Sequence, residues 1–284
     1  MTSVRLRKQF KKLSNKTFIY FLIAIFSFMY IFPFLWMLST ALKSPTELLN
    51  PNAAFFPESP QFKNFLRALQ AIPFIKYTIN TLIITITSMT GVITSASLVA
   101  YAFARLRWKG RNFLFIVMLS TLMLPAQVTL IPTFIMFKTF GWYNTFLPLT
   151  LPFFFGGGAF NIFLLRQFYR SIPMDMSESA KIDGCSEFAI WWKIVLPLCK
   201  PILAAIAVFA FMGGWNDFYG PLIYLTDPEL TPLALGLRAF QMQHGAQWEL
   251  MMAGSLISML PTLVLFFSFQ KYFVEGITLT GIKG

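Results

Sequence analysis

The sequence predicts an all-α fold, a polytopic membrane helix bundle with six transmembrane helices. Three observations carry this. The 284 residues are 56% hydrophobic and only 12% charged, about half the charge of an ordinary soluble domain. The charges are missing in blocks: none lies between Lys16 and Lys43, Lys76 and Arg105, Arg111 and Lys138, Lys138 and Arg166, or Glu249 and Lys271, and a shorter block runs from Lys200 to Asp217. A helix of about 20 apolar residues crosses about 30 Å of hydrocarbon. Five blocks meet that length, and the sixth does if Asp217 sits near a membrane surface. Finally, 17 of the 23 Lys and Arg fall on one side of the resulting topology, which the positive-inside rule makes the cytoplasmic side, with both termini.

The elements follow in order. A basic N-terminus (1–17) carries Arg5, Arg7, Lys8, Lys11, Lys12 and Lys16. Span one, about 18–42, is longer than a signal-peptide core and lacks a small-residue cleavage site after it, so it reads as a retained anchor. The outer segment that follows holds Pro45, Pro51, Pro57 and Pro60 and predicts loop, with a short helix near 62–71. Span two, about 77–104, repeats Thr81, Thr85, Thr87, Ser88 and Thr90, small hydroxylated residues that let membrane helices approach closely. Span three, about 113–137, contains Pro125 and Pro132; span four, about 146–165, contains Pro148, Pro152 and Gly156-Gly157-Gly158. Such residues at membrane depth fit irregular helices around an internal path, although Gly and Pro are also common in ordinary membrane helices. Span five starts near Pro201 and reaches Asp217, towards its outer end. That acid reads either as a functional group or as a hydrogen-bonded helix-end residue. Span six precedes a cytoplasmic tail (271–284). The six-span domain thus covers 18–270.

Several chemistries are excluded. No G-x-x-x-x-G-K-[ST] occurs, so ATP binding through a P-loop by this chain is not expected. There is no G-x-S-x-G elbow and only one histidine, His244, so neither an enzyme nor a metal site is predicted. The net charge of +12 sits in the inner loops, where it sets topology and can touch anionic membrane lipid rather than nucleic acid. Cys185 and Cys199 both lie at the inner side and are expected to stay reduced. Paired intramembrane carboxylates, which an ion-coupled carrier needs, are also missing.

One charged stretch interrupts the apolar chain, the hairpin 171–197. Ser171 and Pro173 predict the start of a first helix, with Asp175 and Glu178 complementing its positive end. Gly184 predicts a left-handed stop after Asp183. Ser186 predicts the cap of a second helix that Pro197 ends. Phe188, Trp191, Trp192 and Val195 follow i, i+3, i+4, i+7 spacing and predict a face packed against the bundle. Ser177, Ser179 and Ala180, beside Glu178 and Lys181, offer a small-residue surface to a groove on another protein.

Glu178-Ser179-Ala180, then Asp183-Gly184, Trp191, Ile194, Leu196-Pro197 and Pro201 resemble the EAA loop of ABC importer permeases, with Ser179 and Cys185 standing where the family has Ala. "MLPAQVTLIPTF", "FNIFLLRQFYRSIP", "GGWNDFYGPLIYL" and "FVEGITLTGIKG" extend the likeness to the carbohydrate-uptake, maltose-transporter-like family, and to the shorter six-span permease of its pair. The resemblance implies a type I ABC importer permease fold in a prokaryotic inner membrane. It implies a second permease subunit, a cytoplasmic ATPase dimer and an extracytoplasmic substrate-binding protein as partners. ATP and Mg would be held by the ATPase, with no cofactor on this chain. Glu178, Ser179, Ala180, Asp183, Gly184 and Pro197 would couple to that ATPase. The tail 276–284 would lie near it, and the outer loop 231–247 against the binding protein. Asn161, Trp215, Asn216 and Asp217 are candidates for a sugar path. The alternatives are a non-sugar cargo such as a glycerophosphodiester or polyol, and an ATP-independent carrier.

Overall fold

The computed structural model describes residues 2–242 and 247–281, excepting the side chains of 2–15, 242 and 271–281. His244, part of the outer loop 231–247 and the side chains of the tail 276–284 therefore fall outside the described residues. The principal helices are α1 (Thr2–Ala41), α2 (Lys63–Ala71), α3 (Phe74–Arg105), α4 (Arg111–Ser120), α5 (Ala126–Thr139), α6 (Ala159–Ser171) and α7 (Met174–Ile182). They continue with α8, which starts at Glu187–Ile190 and runs on to Leu198, then α9 (Lys200–Trp215), α10 (Tyr219–Tyr224) and α11 (Trp248–Gly281). Among the described residues every regular element is helical.

Four segments are long and apolar enough to span a membrane alone: Lys16–Ala41, Phe74–Arg105, Leu147–Ser171 and Trp248–Gln270. Two more spans exist if each of two bent pairs counts as one. The third span is such a pair, turning by 100° between Met123 and Ala126. Its cause is Pro125. A proline disfavours the helical conformation of the residue before it, and Leu124 is extended at φ −81°, ψ 118°. The other bend, 82°, separates Leu198 from Lys200. It marks the boundary that the sequence places between hairpin and span five.

The chain forms two compact units, Met1–Ala71 with Ala239–Ile257, and Ile72–Arg238 with Ser258–Gly284. In the first, the Pro-rich outer segment is ordered by buried polar groups. Asn64 donates its amide to the carbonyls of Ala41 and Lys43, both at 2.9 Å. Lys43 Nζ donates to Ala54 O at 2.6 Å, and Glu47 accepts from the Glu58 N–H. Buried backbone groups need such partners, and here side chains supply them where no helix does. The apolar stretch of α1 between Lys16 and Ala41 has none of its most hydrophobic window buried within the chain.

In the second unit, α3 is the central element, packed against α6 and α9. Its inward side carries Val92, Ala96, Ala100 and Tyr101, which meet Leu165 and Tyr169 of α6 and Ile206 of α9 in one core. Span four approaches α3 through its glycines. Gly157 has φ +65°, and a Cβ there would lie 2.6 Å from Val92 O and 2.8 Å from Ala96 Cβ. Only glycine satisfies both the backbone conformation and the space. At the N-terminal end of α3 Asn80 donates to the carbonyls of Glu229 and Thr231, Thr81 Oγ1 accepts from Leu233 N, and Lys76 pairs with Glu229. These bonds fasten the segment 229–233 to α3.

Candidate functional site

The hairpin 171–197 forms, with three differences from its sequence pattern. Ser171 does not cap the first helix: α6 continues through Ser171, whose hydroxyl donates back to Phe168 O. Helix α7 begins at Met174 behind Pro173, and Asp175 occupies its first turn. The second difference concerns the aromatic face. Trp191 and Val195 are buried, whereas Phe188 and Trp192 are 64% and 60% exposed. Residues Trp191–Val195 form a π turn, with Leu196 N donating to Trp191 O. That wider turn breaks the i, i+3, i+4, i+7 register, so Ile190 and Val195, five apart, face the core instead. The π turn also carries the helix through Pro197 to Leu198, so Pro197 does not end it.

The third difference is the direction of the small residues. Ser177 and Ala180 are buried against the chain's own core, Ala180 as part of the cluster containing Tyr169 and Trp191. Ala180, expected on the docking surface, is small because α7 lies close on its own bundle. The outward ridge is left to Glu178, Ser179, Lys181, Ile182, Asp183 and Gly184, all exposed. Ile182 is 86% exposed, a large apolar side chain at the tip of a charged helix.

The turn itself is as the sequence predicts. Gly184 has φ +80°; its N–H donates to Lys181 O at 3.0 Å and the Cys185 N–H to Ala180 O at 2.9 Å. This pair of bonds is a Schellman stop. Ser186 Oγ then accepts from Ala189 N at 3.3 Å and starts α8.

Sequence reasoning missed what holds the hairpin to the bundle. Arg105, counted there as a topology-setting base, is buried. It donates Nη2 to Ile172 O and Nη1 to Met174 Sδ, each at 2.8 Å. Tyr101, one helical turn earlier on α3, donates its hydroxyl to Glu187 Oε2 at 2.6 Å. Glu187 Oε1 accepts from Lys181 Nζ at 2.6 Å. Burial pushes the Glu187 carboxyl up, but hydrogen bonds from Lys181 and Tyr101 outweigh it and hold the group below the usual 4.5. Arg166 is a further structural base, its guanidinium 3.9 Å over the Phe115 ring and its Nε donating to Phe103 O. The periodic positions Tyr101 and Arg105 were the one available signal, since residues four apart share a helix face.

The candidate path residues separate into two groups. Asn161 and Asp217 line one cavity of about 220 Å³ with Ser88, Phe153, Gly213 and Gly214. Asn161 also donates to Gly157 O at 2.8 Å, and Asp217 Oδ1 accepts from Gly220 N at 3.0 Å, so the acid starts α10 as well as facing the cavity. Trp215 and Asn216 do not line it. Trp215 is buried, stacks on Phe211 with ring centroids 5.4 Å apart, and spends its indole N–H on Ser258 O. Asn216 is exposed and returns its amide to Met212 O at the end of α9. Among the described residues no group of three or more His, Cys, Asp or Glu could hold a metal ion.

Comparison with known proteins places this geometry. Residues 92–279 match the family model described as "Binding-protein-dependent transport system inner membrane component". The arabinooligosaccharides transport system permease protein AraQ of Bacillus subtilis is 31% identical over 261 residues, 91% of this chain and 92% of that protein. The diacetylchitobiose uptake system permease protein DasC of Streptomyces coelicolor is 32% identical over 89% of this chain and 92% of its own length. In fold, the chain matches a chain from the crystal structure of a bacterial ABC transporter involved in the import of the acidic polysaccharide alginate. The TM-score is 0.78 at 24% identity, over 94% of this chain and 98% of that one. The chain therefore belongs to the family of inner-membrane components of binding-protein-dependent transport systems: it is a multi-pass ABC transporter permease, a transport subunit and not an enzyme.

Proposed function

We propose that this permease forms half of the translocation path of an ATP-driven importer for oligosaccharides, with both termini in the cytoplasm. The observation that carries the energy-coupling part is the exposed ridge of α7, Glu178 to Gly184, on a hairpin braced to the bundle at both helices. That ridge suits a groove on a cytoplasmic ATPase dimer, with Glu178 available to a basic residue there and ATP and Mg held by the ATPase. Closure of the ATPase dimer would move the hairpins together and rock the attached helices, opening the path outward to a binding protein. Hydrolysis would return it inward. A second permease would supply the other wall of the path, with Asn161 and Asp217 on this one. The cargo class is supported by the relatives, which are named for arabinooligosaccharides and diacetylchitobiose.

The test is purification from mild detergent by a tag on this chain, followed by uptake into vesicles from a panel of oligosaccharides, polyols and glycerophosphodiesters. Co-purification of a second permease and a P-loop ATPase, with ATP-dependent uptake of an oligosaccharide, is the expected result. Uptake of a polyol or phosphodiester alone would replace the cargo. Transport by the isolated chain without ATP would replace the coupling reading with a carrier.

A further inference from the structure

The hairpin meets the rest of the chain at two joints where helical hydrogen bonding is interrupted. One is Ile172-Pro173, both in extended conformation between α6 and α7. The other is the 82° bend at Cys199 between α8 and α9. A third break, at Gly184, lies between the two hairpin helices. A force applied to α7 would turn these joints before it moved a span, unless side chains brace them.

The bracing residues come from one face of α3. Tyr101 and Arg105, four positions apart, reach the two halves of the hairpin: Arg105 the Ile172-Met174 joint, Tyr101 the first turn of α8 at Glu187. Glu187 in turn holds Lys181 in the last turn of α7. One carboxylate thus ties α3, α7 and α8 across the break at Gly184, and its two oxygens are divided between the two partners. Charge-assisted bonds of this length are the stronger kind. Packing of Ala180, Ile190 and Trp191 keeps the hairpin against the core, but apolar contacts are non-directional and fix an angle less well than hydrogen bonds.

We infer that Tyr101, Glu187 and Lys181 form an angular brace that makes the hairpin move α3 as one body with α7 and α8; they are positioning residues of the coupling step. The main load enters the bundle laterally, through side chains on the second span, and not only along the chain through α6 and α9. The inference rests on the docking of α7 on an ATPase proposed above.

The test uses the complete importer, with its second permease, ATPase and binding protein, in lipid nanodiscs. The readout is the factor by which the binding protein stimulates ATP hydrolysis, a signal that must pass through the permease and its hairpin to reach the ATPase. Tyr101→Phe and Glu187→Gln, which keep side-chain size, are each expected to lower that factor by about fivefold or more, the low end of allosteric coupling. The double variant should lose less than the two single losses combined, since both act on the one carboxylate that Tyr101 and Lys181 share; Lys181→Arg should retain stimulation. A second readout is the distance distribution between a spin label on the exposed Cys185 and one on a cysteine replacing the exposed Arg107, Cys199 being buried. It is expected to be narrow in the parent and broad in Tyr101→Phe. If Gly184→Val abolishes stimulation while Tyr101→Phe and Glu187→Gln leave it intact, the hairpin couples without the brace and the inference is overturned. A broadened distance with unchanged stimulation overturns it equally. If Gly184→Val also leaves stimulation intact, the docking reading falls and takes the brace with it.

Discussion

Helices α1 and α3 are both apolar enough to span a membrane, yet they are built for opposite surroundings. The membrane segment of α1 has a mean hydropathy of 2.3 with none of that window buried in the chain; α3 has 1.8 with 44% buried. The exposed surface of α1 is Phe, Tyr, Ile, Met and Leu almost without interruption. The buried surface of α3 includes Ala96, Ala100, Thr81, Thr85, Ser88 and Ser97 among larger residues such as Ile84, Val92 and Tyr101. Hydropathy therefore identifies a span, while small and hydroxylated residues identify which span other helices pack around. The physical reason is that lipid tails are as apolar as Leu, so burial against protein must be gained from close fit and hydrogen bonds instead.

This contrast can be broken hardest at α3. Gly157→Val would drive a branched side chain into Val92 and Ala96 of α3 while forcing a positive φ. Overpacking of about 1–3 kcal/mol adds to about 1–2 kcal/mol for the left-handed backbone. The expected result is loss of the folded protein in detergent, read as early elution in size-exclusion chromatography and a collapsed melting transition; a normal melt would show that span four does not seat on α3 as described.

Gly184→Val should do less to the fold and more to activity. No atom lies within 4 Å of an added Cβ, so only the φ of +80° resists it, about 1–2 kcal/mol. Membrane insertion should be normal and ATP-dependent uptake absent. Uptake at the parent rate would mean that the turn is not needed.

The left-handed stop at Gly184 and the cap at Ser186 were legible because each depends on its own few neighbours. So were the spans, which depend only on runs without charge. The π turn was not legible, since it follows from how Trp191 and Val195 find the core, and neither was the exposure of Phe188 and Trp192. Nor was the inward direction of Ala180, or the tie between Tyr101 and Glu187, which are 86 positions apart. Asp217 had two readings in the sequence; the structure shows the hydrogen-bonded helix-end acid and sets it beside a cavity.

A smaller effect should come from acid. Because the Glu187 carboxyl is held below its ordinary value, its contribution to stability is fully present above the unfolded-state pKa. It is lost as pH falls through the lower folded-state pKa. Melting temperature should therefore fall less on acidification in Glu187→Gln than in the parent, compared at about pH 7 and about pH 4, near the glutamate range. Its side chain is 41% exposed, so the difference should be modest; equal acid sensitivity would show that Glu187 is not preferentially ionised in the fold.

The smallest effect is expected on α1. Ile23→Leu or Phe28→Leu changes a residue more than half exposed within the chain and should alter the chain's own stability by no more than about 0.5 kcal/mol. A larger loss in the purified chain would mean that α1 is held by contacts within it, and the contrast with α3 would narrow.

The π turn at Trp191–Val195 also bears on which way the hairpin faces. Each residue of an α-helix advances its side chains by about 100°, and a π turn absorbs roughly one residue more than an α turn. The azimuth of the hairpin about the axis of α8 thus depends on how many residues separate Gly184 from Pro197. Deleting a single residue there would re-index the outward ridge by about 100° with its composition unchanged. Chain length in this interval works as a rotational dial, separate from the contacts that Ser186, Glu187 and Trp191 make.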